Sequence, residues 1–163
     1  MQECTVVVTH KQKLLVAAHC RISKEWHRFT VYLGSYKKGE GIIGKVAKIE
    51  VMDGYVSPSK GKDLAVIYLT EPIDFDFPPF FQVETIDIAD ANEMPPSGAV
   101  VTAAGFGLWK PTSRPSLVLR CATFQTLGPQ ECKERGPEML PYHICSIDKE
   151  KAMGLGDTRL WYM

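Results

Sequence analysis

The segment Val16-Ala17-Ala18-His19-Cys20 carries most of the information on how this chain folds, because small apolar residues lead directly to a histidine and a cysteine. Taken alone, it fits a buried, hydrogen-bonded histidine beside a structural cysteine. Cys4 lies sixteen residues before Cys20. Asp63 lies 44 residues after His19 and directly before an apolar run over residues 64–69. An acidic residue directly before an apolar strand is usually a turn or edge residue. Each residue alone therefore has an ordinary structural interpretation, and only their order and spacing in the chain can favour a functional one.

Short strands separated by turns are predicted over most of the chain. β-Branched or alternating residues indicate strands at residues 5–9, 29–33 and 46–51, and a nearly continuous apolar run of the kind buried strands show indicates one at residues 64–69. Further strands are expected at residues 99–104 and 117–126. Eleven prolines and thirteen glycines punctuate them, and the stretch 72–96 is the expected join between two halves. One helix is predicted over residues 128–135, with Pro129 in its first turn and Gly136-Pro137 as its stop. This pattern predicts an all-β sandwich or barrel.

Composition excludes several classes of function. Nineteen basic and nineteen acidic residues give the 163-residue chain a formal net charge of zero, whereas a general nucleic-acid or membrane-surface binder has a basic excess. The longest apolar run has six residues, far below the roughly 20 that span a bilayer. Met1-Gln2-Glu3-Cys4 has neither a basic start nor an apolar core, so no signal peptide is expected in the sequence as written. No nucleic-acid or membrane partner is predicted.

No cofactor or metal is predicted. The five cysteines form no C-x-x-C pair, and His143 with Cys132 and Cys145 matches zinc-ligand spacing poorly. Residues 39–45 satisfy the letters G-x-G-x-x-G, but a dinucleotide site needs a strand before the motif and a helix after it. The sequence after this motif alternates like a strand instead. The motif is therefore predicted to be a flexible surface loop.

Three segments together resemble one protein family. Val16-Ala17-Ala18-His19-Cys20 is similar to the T-A-A-H-C signature of trypsin- and chymotrypsin-like serine proteases, the S1 peptidase family. Asp63-Leu64-Ala65-Val66-Ile67-Tyr68-Leu69 resembles the D-I-A-L-L-x-L strand that carries the family's catalytic aspartate. Val101-Thr102-Ala103-Ala104-Gly105-Phe106-Gly107 resembles its V-x-V-S-G-W-G strand, with phenylalanine for tryptophan. The resemblance extends from residue 4 to residue 158, and the motifs occur in the family's order.

The resemblance implies a chymotrypsin-like double β-barrel. Residues 1–93 would form a nearly complete N-terminal barrel that carries His19 and Asp63, and residues 94–163 an incomplete C-terminal barrel. The chain is expected to be truncated at both ends. Disulfides are implied between Cys4 and Cys20 and between Cys132 and Cys145. Cys121 is then unpaired, since its partner would lie in the missing part. Secretion to an oxidising extracellular space is expected from the family and its disulfides.

The resemblance also implies site residues. His19 would be the general base, and Asp63 would bond one ring nitrogen and so select the tautomer whose other nitrogen accepts a proton. The nucleophile would be Thr158, because Gly156-Asp157-Thr158-Arg159 stands where the family has G-D-S-G-G-P. The backbone N–H groups of Gly156 and Thr158 would form the oxyanion hole. The threonine methyl restricts χ1 at the position where the attacking oxygen must rotate.

Two functions follow from this resemblance. The first is a serine-type endopeptidase that hydrolyses extracellular polypeptides, inactive or severely impaired as the chain stands. The alternative is a non-catalytic protease homologue that binds or regulates within a proteolytic cascade. Polypeptide substrates or protease inhibitors are the expected partners in both cases. Incomplete barrel edges predict exposed apolar patches around Val100, Leu117 and Leu119, and hence self-association.

Overall fold

Strands dominate the part of the chain that the computed structural model describes, which comprises residues 4–20, 29–76, 83–90, 93–108, 114–135 and 144–147. The strands are β1 (Val7–His10), β2 (Lys13–Val16), β3 (Thr30–Leu33), β4 (Ile42–Val51), β5 (Ala65–Leu69), β6 (Val100–Gly105), β7 (Arg120–Thr126) and β8 (Ser146–Ile147). A helix, α1 (Pro129–Arg135), lies between β7 and β8, and 3-10 turns cover Ala18–Cys20 and Pro58–Lys60. The predicted all-β class and the predicted helix are confirmed.

The first five strands form one curled sheet in the order β1-β2-β5-β4-β3, with antiparallel neighbours. The curl arises in β4, the longest of the described strands. Its first half pairs with β3, where Gly44 lies opposite Val31, and its second half pairs with β5, where Ile49 lies opposite Ile67. The register shifts between Val46 and Lys48, and such an irregularity bends the strand and increases its twist.

Alternating side chains build the core on the inner face of this sheet. Along β5, Ala65, Ile67 and Leu69 are buried while the residues between them are half-buried. Leu14 and Val16 of β2 are fully buried against them. A strand with one buried face produces this period of two. The strand predicted at residues 64–69 is confirmed as β5, although its sequence is nearly continuously apolar.

The outer face of the same sheet carries a cluster of charged side chains around Tyr68. Tyr68 of β5 lies between Lys13 of β2 and Lys48 of β4, with the Lys48 ammonium 4.3 Å from the ring centre. Lys48 Nζ also donates to Glu50 Oε1 at 2.6 Å. This hydrogen bond lowers the pKa of the Glu50 carboxyl and raises the pKa of the Lys48 ammonium. One face of the sheet carries these charged side chains and the other carries the apolar core. A shift of one residue would exchange the two faces, so this difference fixes the register.

A smaller sheet, in the order β6-β7-β8, has its own core. Val101, Ala103 and Phe124 are buried together between β6 and β7. Helix α1 is joined to the chain before β8 by a disulfide between Cys132 and Cys145. The helix is short, and this bond with the burial of Cys132 ties it to the second sheet.

The two sheets meet in a short ribbon. Lys38 N–H donates to the Leu117 carbonyl at 2.9 Å, and Leu119 N–H donates to the Tyr36 carbonyl at 2.7 Å. Ser116 is buried beside the ribbon, and its hydroxyl donates to the Val118 carbonyl at 2.7 Å. The segment before β7 is therefore held by its own hydrogen bonds.

The apolar exposure expected from the sequence is present. Val100 is 69% exposed, Leu117 is 75% exposed and Leu119 is 39% exposed. Leu117 and Leu119 precede β7, which begins at Arg120, so the prediction of a strand from residue 117 was wrong over its first three residues. Pairing with the segment at residues 36–38 replaces the expected sheet pairing there.

Described residues in the stretch 72–96, which is expected to join two halves, contact the first sheet. Ile73 and Val83 are buried in the first core. Ile73 N–H donates to the Lys11 carbonyl at 2.8 Å, and Ile86 N–H donates to the Val8 carbonyl at 2.9 Å. The division of the chain at residue 93 stays a prediction.

The G-x-G-x-x-G stretch is half loop and half strand, so the prediction of a flexible loop over residues 39–45 was wrong from Ile42 onward, where β4 begins. The glycines have structural roles instead. Gly41 has φ +115°, and a Cβ there would overlap the Leu33 carbonyl oxygen. Gly44 lies under Leu69, where a Cβ would be 3.1 Å from the leucine Cδ2. The chain must approach closely at both positions, and only glycine permits this approach at Gly41.

Gly41→Ala and Gly39→Ala form a matched pair that tests this steric role. Both positions have positive φ, but a Cβ on Gly39 meets nothing within 4 Å. Gly39→Ala should lower the free energy of unfolding by about 1 kcal/mol through backbone strain alone. Gly41→Ala should lower it by about 3 kcal/mol or more, because overlap with Leu33 adds to the strain. Urea unfolding measures both, and equal losses would contradict the role of the Leu33 carbonyl.

Candidate active site

His19 lies just beyond the end of β2, in a backbone that is fixed on both sides. Val16, Ala17 and Ala18 are buried before it. The 3-10 turn that contains His19 is closed by a hydrogen bond from Cys20 N–H to the Ala17 carbonyl at 3.1 Å. Cys20 is buried and forms a disulfide with Cys4, with 6.1 Å between the two Cα atoms. The residue that follows the imidazole is therefore anchored covalently.

Asp63 reaches the same place through strand pairing. Val16, the last residue of β2, lies opposite Ala65, the first residue of β5. Because these strands are antiparallel, the residues just after β2 and just before β5 leave the sheet at the same edge. His19 and Asp63 are 44 residues apart in the sequence and meet at this edge. Their proximity follows directly from the register of two neighbouring strands.

The Asp63 carboxylate contacts His19 through both of its oxygens. Oδ2 lies 2.6 Å from the ring nitrogen Nδ1, and Oδ1 accepts a hydrogen bond from the His19 backbone N–H at 2.7 Å. The side chains are 37% exposed for His19 and 21% exposed for Asp63. An ionised carboxylate can only accept, so Nδ1 carries a proton in this pair and Nε2 is the nitrogen able to take one up. The carboxylate therefore fixes both the position of the ring and its tautomer.

The other predicted site residues lie outside the described residues. Gly156 and Thr158, and with them the nucleophile and the oxyanion-hole donors, stay predictions. Both implied disulfides, Cys4–Cys20 and Cys132–Cys145, are present, and within the described segments the Cys121 thiol is free and exposed. The structure thus brings His19 and Asp63 together with the first disulfide.

The described segments contain neither a metal-binding cluster nor a membrane-spanning helix. No three His, Cys, Asp or Glu side chains in them are grouped in a way that could hold a metal ion. Across those same segments, no helix has the length and apolar character needed to cross a bilayer.

A family model for trypsin matches residues 1–158. The chain belongs to the trypsin family. Among curated trypsin-family relatives, trypsin eta of Drosophila melanogaster is 27% identical over 82% of this chain and 50% of its own length. Human kallikrein-5 is 29% identical over 90% of this chain and 49% of its own length. Hypodermin-A of Hypoderma lineatum is 26% identical over 93% of this chain and 60% of its own length. The chain therefore spans about half to three-fifths of these relatives.

Solved structures of trypsin-family folds agree with this assignment. The inactivated protease paralogue S-D1 of the scabies mite superposes with a TM-score of 0.85 at 20% identity, over 95% of this chain and 68% of that protein. The paralogue S-I1 superposes with a TM-score of 0.79 at 21% identity, over 95% of this chain and 69% of that protein. At this level of identity the likeness shows the fold. The predicted chymotrypsin-like architecture is confirmed.

Sequence reasoning did not identify Lys62, the residue directly before Asp63. Lys62 has φ 56°, a left-handed backbone conformation that residues other than glycine rarely adopt. The neighbouring Gly61 indicates an unusual turn in the sequence, whereas a lysine gives no indication of a positive φ. The strand β2, which delivers His19, was also not predicted, because its Leu14-Leu15-Val16 run does not alternate.

Asp63→Asn tests the role of the carboxylate in fixing the tautomer. Asparagine has one acceptor oxygen for the two donors of His19. If the backbone N–H keeps that oxygen, the amide group faces Nδ1 and the ring proton moves to Nε2. Nitrogen chemical shifts of the His19 imidazole should report this exchange, with a loss of about 1–3 kcal/mol in the free energy of unfolding. Asp53→Asn, on the exposed turn after β4, is the matched control and should change neither. An unchanged tautomer in Asp63→Asn would remove the carboxylate from this role.

Proposed function

We propose that this protein is a serine-type endopeptidase homologue of the trypsin family whose capacity to hydrolyse peptide bonds is severely impaired. The observation that carries the proposal is the two-point contact of Asp63 with His19 at 2.6 Å and 2.7 Å. This contact is the arrangement that a general base of the triad type requires. The impairment is supported by Thr158, a threonine at the proposed nucleophile position where the family has serine.

The proposed reaction assigns one step to each residue. The Thr158 hydroxyl oxygen would attack the peptide carbonyl carbon, and its proton would pass to His19 Nε2. Asp63 would hold the ring and stabilise the imidazolium that results. Backbone N–H groups of Gly156 and Thr158 would bind the oxygen on which negative charge develops. The imidazolium would return the proton to the leaving amine as the C–N bond breaks, and water would hydrolyse the ester by the reverse sequence.

The impairment follows from the residues at the nucleophile position. The β-branched threonine populates fewer χ1 values than serine, so its hydroxyl reaches fewer of the directions that attack demands. Loss of the nucleophile in a triad enzyme costs on the order of a millionfold in kcat. Arg159 and Leu160 follow where the family has two glycines, and bulky side chains there restrict the backbone that must present the oxyanion donors.

A second candidate function is binding of polypeptides without hydrolysis. The two superposed scabies mite proteins are described as inactivated protease paralogues, and their fold is the fold of this chain. A non-catalytic homologue would bind polypeptide substrates or protease inhibitors and regulate a proteolytic cascade. An extracellular location is consistent with the two disulfides and with the family.

Covalent labelling with a fluorophosphonate probe tests the proposed impairment. The wild-type chain should form no adduct at Thr158 beyond that of His19→Ala, as measured by mass spectrometry. Thr158→Ser removes only the methyl group and should form a slow adduct, because the hydroxyl gains rotational freedom. The double variant Thr158→Ser/His19→Ala should again form none, since the base is missing.

The outcomes separate the two functions. His19-dependent labelling of wild-type Thr158 at the rate of Thr158→Ser would overturn the impairment and identify an active peptidase. Labelling of Thr158→Ser that does not need His19 would remove His19 from the role of base. Calorimetric binding of the polypeptide inhibitor aprotinin by an unlabelled wild-type chain would favour the binding function.

A further inference from the structure

The backbone directly before Asp63 is strained. Among the described residues, Lys62 is the non-glycine residue with a positive φ, at 56°, and it follows Gly61 at 76°. A side chain in this region is energetically unfavourable, because its Cβ approaches the next carbonyl oxygen. Lysine has no short polar group to offset that cost as asparagine does. Such an outlier persists where the surrounding structure determines it, and it is found most often at functional sites.

Three contacts hold this conformation. Leu64 N–H donates to the Lys62 carbonyl at 2.8 Å, which closes a tight turn centred on Asp63. Met52 N–H donates to the Leu64 carbonyl at 2.9 Å and ties this turn to the end of β4. The Lys62 side chain lies along Gly54, where a Cβ would be 2.9 Å from the lysine Nζ. The turn is therefore held by hydrogen bonds of its backbone and by packing of the Lys62 side chain on Gly54.

The turn sets the direction of the Asp63 carboxylate. Beyond Asp63 the chain is fixed by β5, whose Ala65 pairs with Val16. A change of φ at Lys62 from 56° to an ordinary negative value is a rotation of about 120° about one bond. The hydrogen bond from Leu64 to Lys62 depends on the dihedral angles of Asp63. Because Met52 and β5 hold the two ends of this loop, neighbouring dihedral angles, those of Asp63 included, would have to change to absorb the rotation, and the turn on Asp63 would be distorted.

We propose that Lys62 is a positioning residue for the Asp63–His19 pair, and that it acts through its left-handed backbone conformation and not through its charge. The inference rests on the proposed function, because positioning matters to chemistry only where His19 serves as a base. The structural effect is nevertheless measurable in the free protein, without substrate and without any reaction at Thr158.

Substitutions at Lys62 separate conformation from charge. Lys62→Asn and Lys62→Gly remove the charge but favour the left-handed region, and Lys62→Met removes the charge from an unbranched side chain. Lys62→Val introduces a β-branched side chain, which strongly disfavours positive φ. Lys60→Val, two residues earlier in the exposed 3-10 turn, is the matched control for the substitution itself.

The readout is the proton on His19 Nδ1, followed by NMR in the full chain as its rate of exchange with solvent. Asn, Gly and Met variants should exchange at the wild-type rate, as should Lys60→Val. Lys62→Val should exchange about tenfold faster or more, because the hydrogen bond to Asp63 opens more often.

Two outcomes would overturn the proposal. One is a folded Lys62→Val chain that exchanges like wild type, and the other is a Lys62→Met chain that exchanges as fast as Lys62→Val, since charge would then be responsible. If Lys62→Val does not unfold cooperatively, Lys62→Thr replaces it, because threonine is also β-branched, and it should exchange faster than Lys62→Met. Absence of Thr158 labelling bears on the proposed function alone, and unchanged Nδ1 exchange bears on Lys62 alone.

Discussion

Pairing of β2 with β5 is the constraint on which the candidate site depends. The pair Val16–Ala65 is the last rung between these strands, and the histidine and the aspartate follow and precede it by three and two residues. A slip of one residue in this register would turn Leu14 and Ile67 away from the core, so burial of those side chains fixes the site as well as the sheet. Core packing and chemistry are thus set by the same register.

At two positions beside the strands of the first sheet, the backbone adopts a positive φ that residues other than glycine rarely adopt. At Gly41 the chain passes against the Leu33 carbonyl, and glycine makes this approach free of strain. At Lys62 a comparable conformation is held on a lysine by the hydrogen bond from Leu64 and by packing on Gly54. Glycine at position 62 would relieve the strain and keep the positive φ, so the site would be preserved. A change of Lys62 to a negative φ would also relieve the strain, but it would disturb the site.

The sequence predicted those parts of the molecule that local pattern encodes. The nearly continuous apolar run at residues 64–69 and the proline and glycines around residues 128–136 identified β5 and α1 correctly. The run Leu14-Leu15-Val16 did not reveal β2, because it is only three residues long and a strand buried on both faces has no period. Gly39, Gly41 and Gly44 were interpreted as a loop, although β4 begins at Ile42 and includes Gly44, which lies closely under Leu69. The conformation of Lys62 depends on tertiary contacts and leaves no mark in the sequence.

The His19–Asp63 pair does not by itself distinguish a peptidase from a binding protein. Among the described residues, the two hydrogen bonds of the pair and the disulfide beside it all belong to the first half of the chain. The two hydrogen bonds satisfy a half-buried carboxylate, and this alone is a structural reason for the pair to exist. Hydrolysis needs a hydroxyl presented by the other half of the molecule as well. The chemistry of Thr158 therefore separates the two proposed functions, while the geometry of His19 and Asp63 is common to both.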